Sequence, residues 1–181
     1  NPKLAEFSLN LALQEDGRFD EVGPAGEVLW FLKRLEPEEV RNVPAFLQYH
    51  PVEHERALLD KQMLYLEAQL DDELRDLEGK PDSHLKEVSI ALIYPHLRAG
   101  TLPVSARVRS FFPTAYESSR VRFALVDGKT RQRIPAWVMR EQRYVFGLGD
   151  WYKSNGLIPG SLVRIRRGDT PGEVVIEART Y

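Results

Sequence analysis

The sequence predicts an α+β fold, in which an N-terminal helical region with a small β-wing and one long helix precedes a barrel or sandwich of about seven short strands. Three observations carry this. Apolar residues recur at helical spacing over residues 4–13 and again along 52–78. From Val88 onward the period shortens to two. Turn signals then return roughly every 8–12 residues to the end of the chain.

Taken in order, Leu4, Phe7, Leu11 and their neighbours predict a first helix, and Asp16-Gly17 predicts a turn after it. Residues 18–22 and 27–32 predict two short strands around Gly23-Pro24-Ala25-Gly26, a helix followed by a two-strand wing. Pro37, Pro44 and Pro51 divide the next stretch into short turns. Leu59, Met63, Leu66, Leu70 and Leu77 predict a long helix with a heptad-like stripe from Val52 to about Glu78, closed by Gly79-Lys80-Pro81.

The strand-rich half follows. Strands are predicted over 88–94, from Thr101 through Val108, over 119–126, 130–138 and 143–148, and as a last hairpin over 161–166 and 173–178. Asp127-Gly128 is a strong hairpin signal, and Pro135 marks an edge or a bend. Asp150 is expected to cap a short helix through Trp151-Tyr152-Lys153-Ser154, closed by Asn155-Gly156.

Charge divides the chain. The net charge is only −2, yet residues 98–181 carry 15 Lys+Arg against 7 Asp+Glu, and residues 1–97 carry 10 against 20. A basic half of this kind points to nucleic acid. The arginines are also patterned: Arg107/Arg109, Arg120/Arg122, Arg131/Arg133 and Arg164/Arg166 each stand two residues apart. On a strand, each pair would project from one face, and arginine suits both phosphate oxygens and guanine edges. The same pattern also serves a solvated strand face, and a barrel cannot turn four such pairs toward one duplex.

Other chemistries find little support. There is no cysteine, so disulfides, thiolate metal sites and thiol nucleophiles are excluded. His50 and His54 are split by Pro51, and Asp71-Asp72-Glu73 reads as a solvated helix face. Glu78-Gly79-Lys80 imitates a nuclease element but falls at a predicted helix end, and no phosphate-binding loop or nucleophile elbow occurs. No apolar run reaches the roughly 20 residues of a membrane span. The expectation is a non-enzymatic, cytoplasmic binding module without cofactor or metal, in which any catalytic domain lies outside the chain. Because the chain opens on Asn1 inside a helical pattern, it is read as a piece of a longer protein.

Two stretches resemble known families. Phe7, Leu11, Asp16-Gly17-Arg18-Phe19 and Gly23 resemble the end of the HARE-type winged helix of the RNA polymerase delta subunit, over about 30 residues. The second resemblance rests on Leu102-Pro103…Phe111-Phe112-Pro113, on Val121–Gly128, and on Gly149-Asp150-Trp151-Tyr152-Lys153-Ser154-Asn155-Gly156-Leu157 with the strand through Ile165. Together these resemble the DNA-binding pseudobarrel of plant auxin-response and vernalisation factors (the B-three type), a fold shared with the recognition domain of a bacterial restriction enzyme. Asp150 separates the family's Gly-Trp pair, and Ser161 stands where the family usually has Asp.

The second resemblance implies a seven-stranded open barrel over 85–181, with 1–84 as an acidic helical support. It implies sequence-preferring binding of double-stranded DNA, of the kind used in transcription regulation, through two arms entering the major groove. One arm would hold Ser105, Arg107 and Arg109, the other Trp137, Arg140, Gln142 and Arg143. Arg120, Arg122, Arg131 and Arg133 would reach phosphates and Lys153 would also contact DNA, leaving Arg164 and Arg166 as scaffold. Two rivals stand beside this reading. In one, the basic face docks an acidic protein, including the chain's own acidic half; in the other, the chain is a non-catalytic recognition subunit of a restriction or repair enzyme.

Overall fold

A computed structural model describes residues 1–48, 55–65, 85–115 and 118–179. The first helix, α1, spans Pro2–Glu15. It starts where the sequence allows a start: the Asn1 side chain accepts the Lys3 N–H at 3.2 Å, and Pro2 occupies the first turn. The helix buries none of its side chains among the described residues, and Leu4 and Phe7 are about two-thirds exposed (64% and 65%). Strands β1 (Phe19–Glu21) and β2 (Trp30–Leu32) then pair antiparallel as the predicted wing. Trp30 ties the wing to α1, its Nε1 donating to Asn10 Oδ1 at 3.1 Å. A short helix, α2 (Glu38–Arg41), follows.

The long helix predicted from Val52 is not continuous. Residues 56–58 form a 3₁₀ turn, Leu59 is extended, and a helical stretch covers 61–65. Leu66, Leu70, Leu77 and the acidic cluster at 71–73 lie outside the described residues, as do His50, His54, His84 and the element at 78–80.

The second half is the expected open barrel. Its strands are β3 (Glu87–Ala91), β4 (Thr101–Pro103), β5 (Arg120–Asp127), β6 (Arg133–Met139), β7 (Tyr144–Phe146), β8 (Leu162–Arg167) and β9 (Val174–Arg179). They form one sheet in the order β3-β8-β9-β5-β6-β7-β4. Every neighbour pair is antiparallel except β5 and β9, and the sheet curls without closing, leaving β3 and β4 as edges. Two short helices plug it: α3 (Tyr94–Ala99), where Tyr94 opens a helix instead of ending the predicted strand, and α4 (Gly149–Ser154). Leu148, not Asp150, stands at the start of α4, so Asp150 lies inside the first turn and makes no capping bond.

Strand alternation sorts the core into two. Val121, Leu125, Ala136, Val138, Val145, Val163, Ile165 and Ile176 point inward and pack with Trp151 and Tyr152 of α4. The opposite face of β6 and β7 carries Trp137, Met139 and Tyr144, and these are buried by Val22 of the wing and Val40 of α2. Phe31 meets Trp137 edge-on with ring centroids 5.0 Å apart, and the Tyr144 hydroxyl donates to the Glu39 carbonyl at 2.6 Å. The acidic half is therefore packed on the sheet's outer face by apolar contact, the non-directional term that dominates such burial.

Candidate nucleic-acid interface

Two segments that lie far apart in sequence meet at one end of the sheet. β4 and β7 pair from Thr101↔Phe146 to Pro103↔Tyr144, and one step further the Val104 N–H donates to the Arg143 carbonyl at 2.8 Å. The chain leaving β4 and the turn entering β7 are thus joined where the two arms were expected. The first segment is not a strand beyond Pro103. The Ser105 carbonyl accepts the N–H groups of Val108 (3.1 Å) and Arg109 (3.0 Å), and a 3₁₀ turn runs over Arg109–Phe111. The expectation that Arg107 and Arg109 share a strand face therefore fails, because the backbone tightens into turns there. Arg107 ends up exposed and Arg109 half-buried. Ser105 is buried, 2% exposed, and serves the turn from beneath.

The second segment is the turn from β6 to β7. Arg143 holds φ +61°, a left-handed backbone that lets the chain reverse before Tyr144. Gln142 is exposed; Arg140 and Arg143 are half-buried. Arg140 bridges to the first segment, its Nη1 donating to the Pro113 carbonyl at 3.2 Å. Burial, and then the nearby charge of Arg109, lower its pKa. Among the described residues no carboxylate pairs with Arg140. Partial desolvation and the like charge of Arg109 both work against the Arg140 cation, and an anion beside it would relieve them. Trp137 belongs to neither arm: it is 4% exposed and packs under Phe31.

The remaining candidates lie elsewhere. Arg120 turns toward the wing, with Nη1 2.8 Å from Glu36 Oε2 and Nη2 3.8 Å from Asp20 Oδ2. Its neighbour Arg122 places its guanidinium carbon 5.2 Å from the Phe31 ring centroid. Both therefore meet the chain's own acidic half. Arg131 lies not in a strand but in the hairpin turn, at φ +61°, with an exposed ion pair to Asp169 at 3.7 Å. Arg133 begins β6 and is exposed. Lys153 projects from α4 beside Asp150 at 3.7 Å, a pairing so exposed that it contributes little. Arg164 and Arg166 do share one outward face of β8, and that face is ion-paired: Arg164 to Glu87 and Glu177, Arg166 to Glu177 at 3.5 Å. One cation escaped the two-residue pattern. Arg167 ends β8 with its guanidinium carbon 5.0 Å from the Phe111 ring centroid, and the only signal for it was a third arginine directly after Arg166.

No protein-family description matches the chain, and no curated protein does either. Among solved structures, an Arabidopsis FUS3–DNA complex is similar, at 15% sequence identity and a TM-score of 0.42, covering 51% of this chain and 95% of that one.

Proposed function

We propose that the chain binds double-stranded DNA through the joined arms, with Arg107, Arg109, Arg140 and Arg143 at phosphates or base edges and Gln142 reading a base. The observation that carries this is the joining of the two arms, by the Val104 N–H on the Arg143 carbonyl at 2.8 Å and Arg140 Nη1 on the Pro113 carbonyl at 3.2 Å, with no carboxylate paired to Arg140 among the described residues. Elsewhere the fold gives Arg120, Arg131, Arg164 and Arg166 carboxylate partners, so Arg140, which has none among the described residues, is suited to an outside anion. Phosphate contacts would supply affinity, and Gln142 with the arginines any sequence preference, since Gln suits adenine and Arg suits guanine.

A duplex titration followed by fluorescence anisotropy tests this. Four phosphate-facing cations predict a log–log salt slope of about −3 to −4. A chain that shows no duplex binding at ~50 mM salt sinks the reading.

A further inference from the structure

A second cationic feature lies beside the arms and is built differently. β5 pairs with β9 only from Leu125 to Asp127; earlier on that edge no strand follows, and the Arg122 N–H is met by the Val22 carbonyl of the wing at 2.8 Å. A groove opens there between the segment Ser110–Thr114, the start of the wing loop at 24–27 and the hairpin turn at 170–173. Three guanidinium side chains line it: Arg122 from β5, Arg133 from β6 and Arg167 from β8. None of the three has a carboxylate partner among the described residues; Arg122 rests on Phe31 and Arg167 on Phe111. Glu27 and Glu173 also line the groove, but Glu173 turns back into its own hairpin, where its Oε2 accepts the Asp169 N–H at 3.0 Å. The lining also offers apolar surface: the exposed rings of Pro135 and Pro171, and the part of Phe123 left open where it stands half-buried, edge-on to Phe112.

We infer that this groove takes a single-stranded nucleic acid, its phosphodiester backbone on Arg122, Arg133 and Arg167 and its unstacked bases on the apolar lining. Charge complementarity selects a polyanion, and the apolar lining selects between its forms. A duplex offers phosphates but keeps its base faces stacked, leaving the Phe123, Pro135 and Pro171 surfaces unused. A single strand offers both, and the combination of a cationic groove with stacking surfaces is how strands are bound without sequence preference. The arms cannot supply this, since no aromatic side chain stands exposed among Arg107, Arg109, Arg140, Gln142 and Arg143.

The test measures fluorescence anisotropy of the whole chain with a labelled thymidine oligomer of about 12 nucleotides and, separately, with a random-sequence duplex. R133A/R167A should weaken the single strand about tenfold or more and leave the duplex within about twofold, while Arg140→Ala does the reverse. Arg133→Glu alone, at an exposed side chain, should reproduce the selective loss without disturbing folding. A wild-type chain that binds the duplex but not the oligomer overturns the groove and leaves the arms standing. One that binds the oligomer but not the duplex overturns the arms and leaves the groove. Equal losses on both ligands in R133A/R167A would also overturn it, since diffuse charge alone predicts them.

Discussion

Arg120 on β5 reaches back across 84 residues to Glu36, placing its Nη1 2.8 Å from a carboxylate whose side chain is only 1% exposed. This contact joins the acidic and basic halves of the chain, and the two partners are not equivalent. Burial raises the Glu36 pKa, and the Arg120 charge is what pulls it back down. Arg120, 30% exposed, keeps access to water and to Asp20 if Glu36 is lost. Removing Arg120 instead strands a buried negative charge. Arg120→Ala should therefore cost about 3 kcal/mol at neutral pH, and Glu36→Gln only about 1 kcal/mol, in urea denaturation. A carboxyl with a raised folded pKa binds its proton more tightly when folded, so stability declines as pH climbs through that value. The Arg120→Ala deficit should consequently shrink on acidification, as Glu36 takes up its proton at a pH above the ordinary carboxylate range. A deficit independent of pH would show that lost packing, not stranded charge, causes it.

In the proposed interface the arms and the β8 face would make opposite use of paired arginines. Arg164 and Arg166 already neutralise Glu87 and Glu177, so moving them onto a phosphate means first breaking those pairs. Arg140 has no such competitor among the described residues. The double variant Arg140→Ala with Arg143→Ala should weaken duplex binding by about 2–4 kcal/mol and lower the salt slope by about 2. Arg164→Ala with Arg166→Ala should change binding by less than about 1 kcal/mol. Comparable losses in anisotropy titrations would mean that charge is read diffusely, with no role for the arms as a site.

Much of the barrel was legible because strand alternation is a local property. In β8 the apolar Val163 and Ile165 and the charged Arg164 and Arg166 fall on opposite faces as the two-residue period requires. The Asp127-Gly128 turn was legible for the same reason: the Asp127 side chain accepts the Lys129 N–H at 2.7 Å and the Thr130 N–H at 3.2 Å, a bond set available to almost any chain with that sequence. The two-residue rule failed at Arg107/Arg109 and Arg131/Arg133, where the backbone leaves the strand and the spacing loses its meaning. It also could not foresee Arg120 and Arg122, which stand on a proper strand but face the chain's own wing. Which partner covers a strand face is a tertiary fact with no local signature. Trp137 shows the converse: the family resemblance placed it on an arm, yet Phe31 covers it and it packs in the core.

His96 offers a test of burial in the barrel core. It is 9% exposed on α3, with Nδ1 2.8 Å from Thr101 Oγ1, and burial pushes its pKa down to about 4. The unfolded chain takes up this proton near pH ~6.5, while the folded chain resists it to about pH 4. The stabilisation is thus complete above ~6.5 and declines as pH falls between the two values, by about 3 kcal/mol in full. Urea denaturation from pH 7 to 4 should show this decline, and His96→Asn should flatten it while lowering stability at pH 7. A wild-type profile as flat as the variant's would mean that His96 is protonated within the fold.

Gly147 fixes the passage from β7 to α4. Its φ of +115° lies where side chains rarely go, and a Cβ built there would stand 2.6 Å from the Pro135 carbonyl oxygen on β6. That oxygen cannot give way easily, because Ala124↔Pro135 and Ala136↔Phe123 are sheet partners on either side of it. Gly147→Ala should therefore cost about 2–3 kcal/mol from strained backbone and forced strand displacement together. The damage should also reach the arms, since β7 is the strand that holds Arg143 against Val104. Gly172→Ala is the control: its φ is +80° but nothing lies within 4 Å of the added carbon, so only the backbone term remains, about 1 kcal/mol. Urea midpoints for the two variants, with duplex affinity measured on each, separate the effects. Equal destabilisation by both would show that the Pro135 contact is relieved by movement of β7 at little cost.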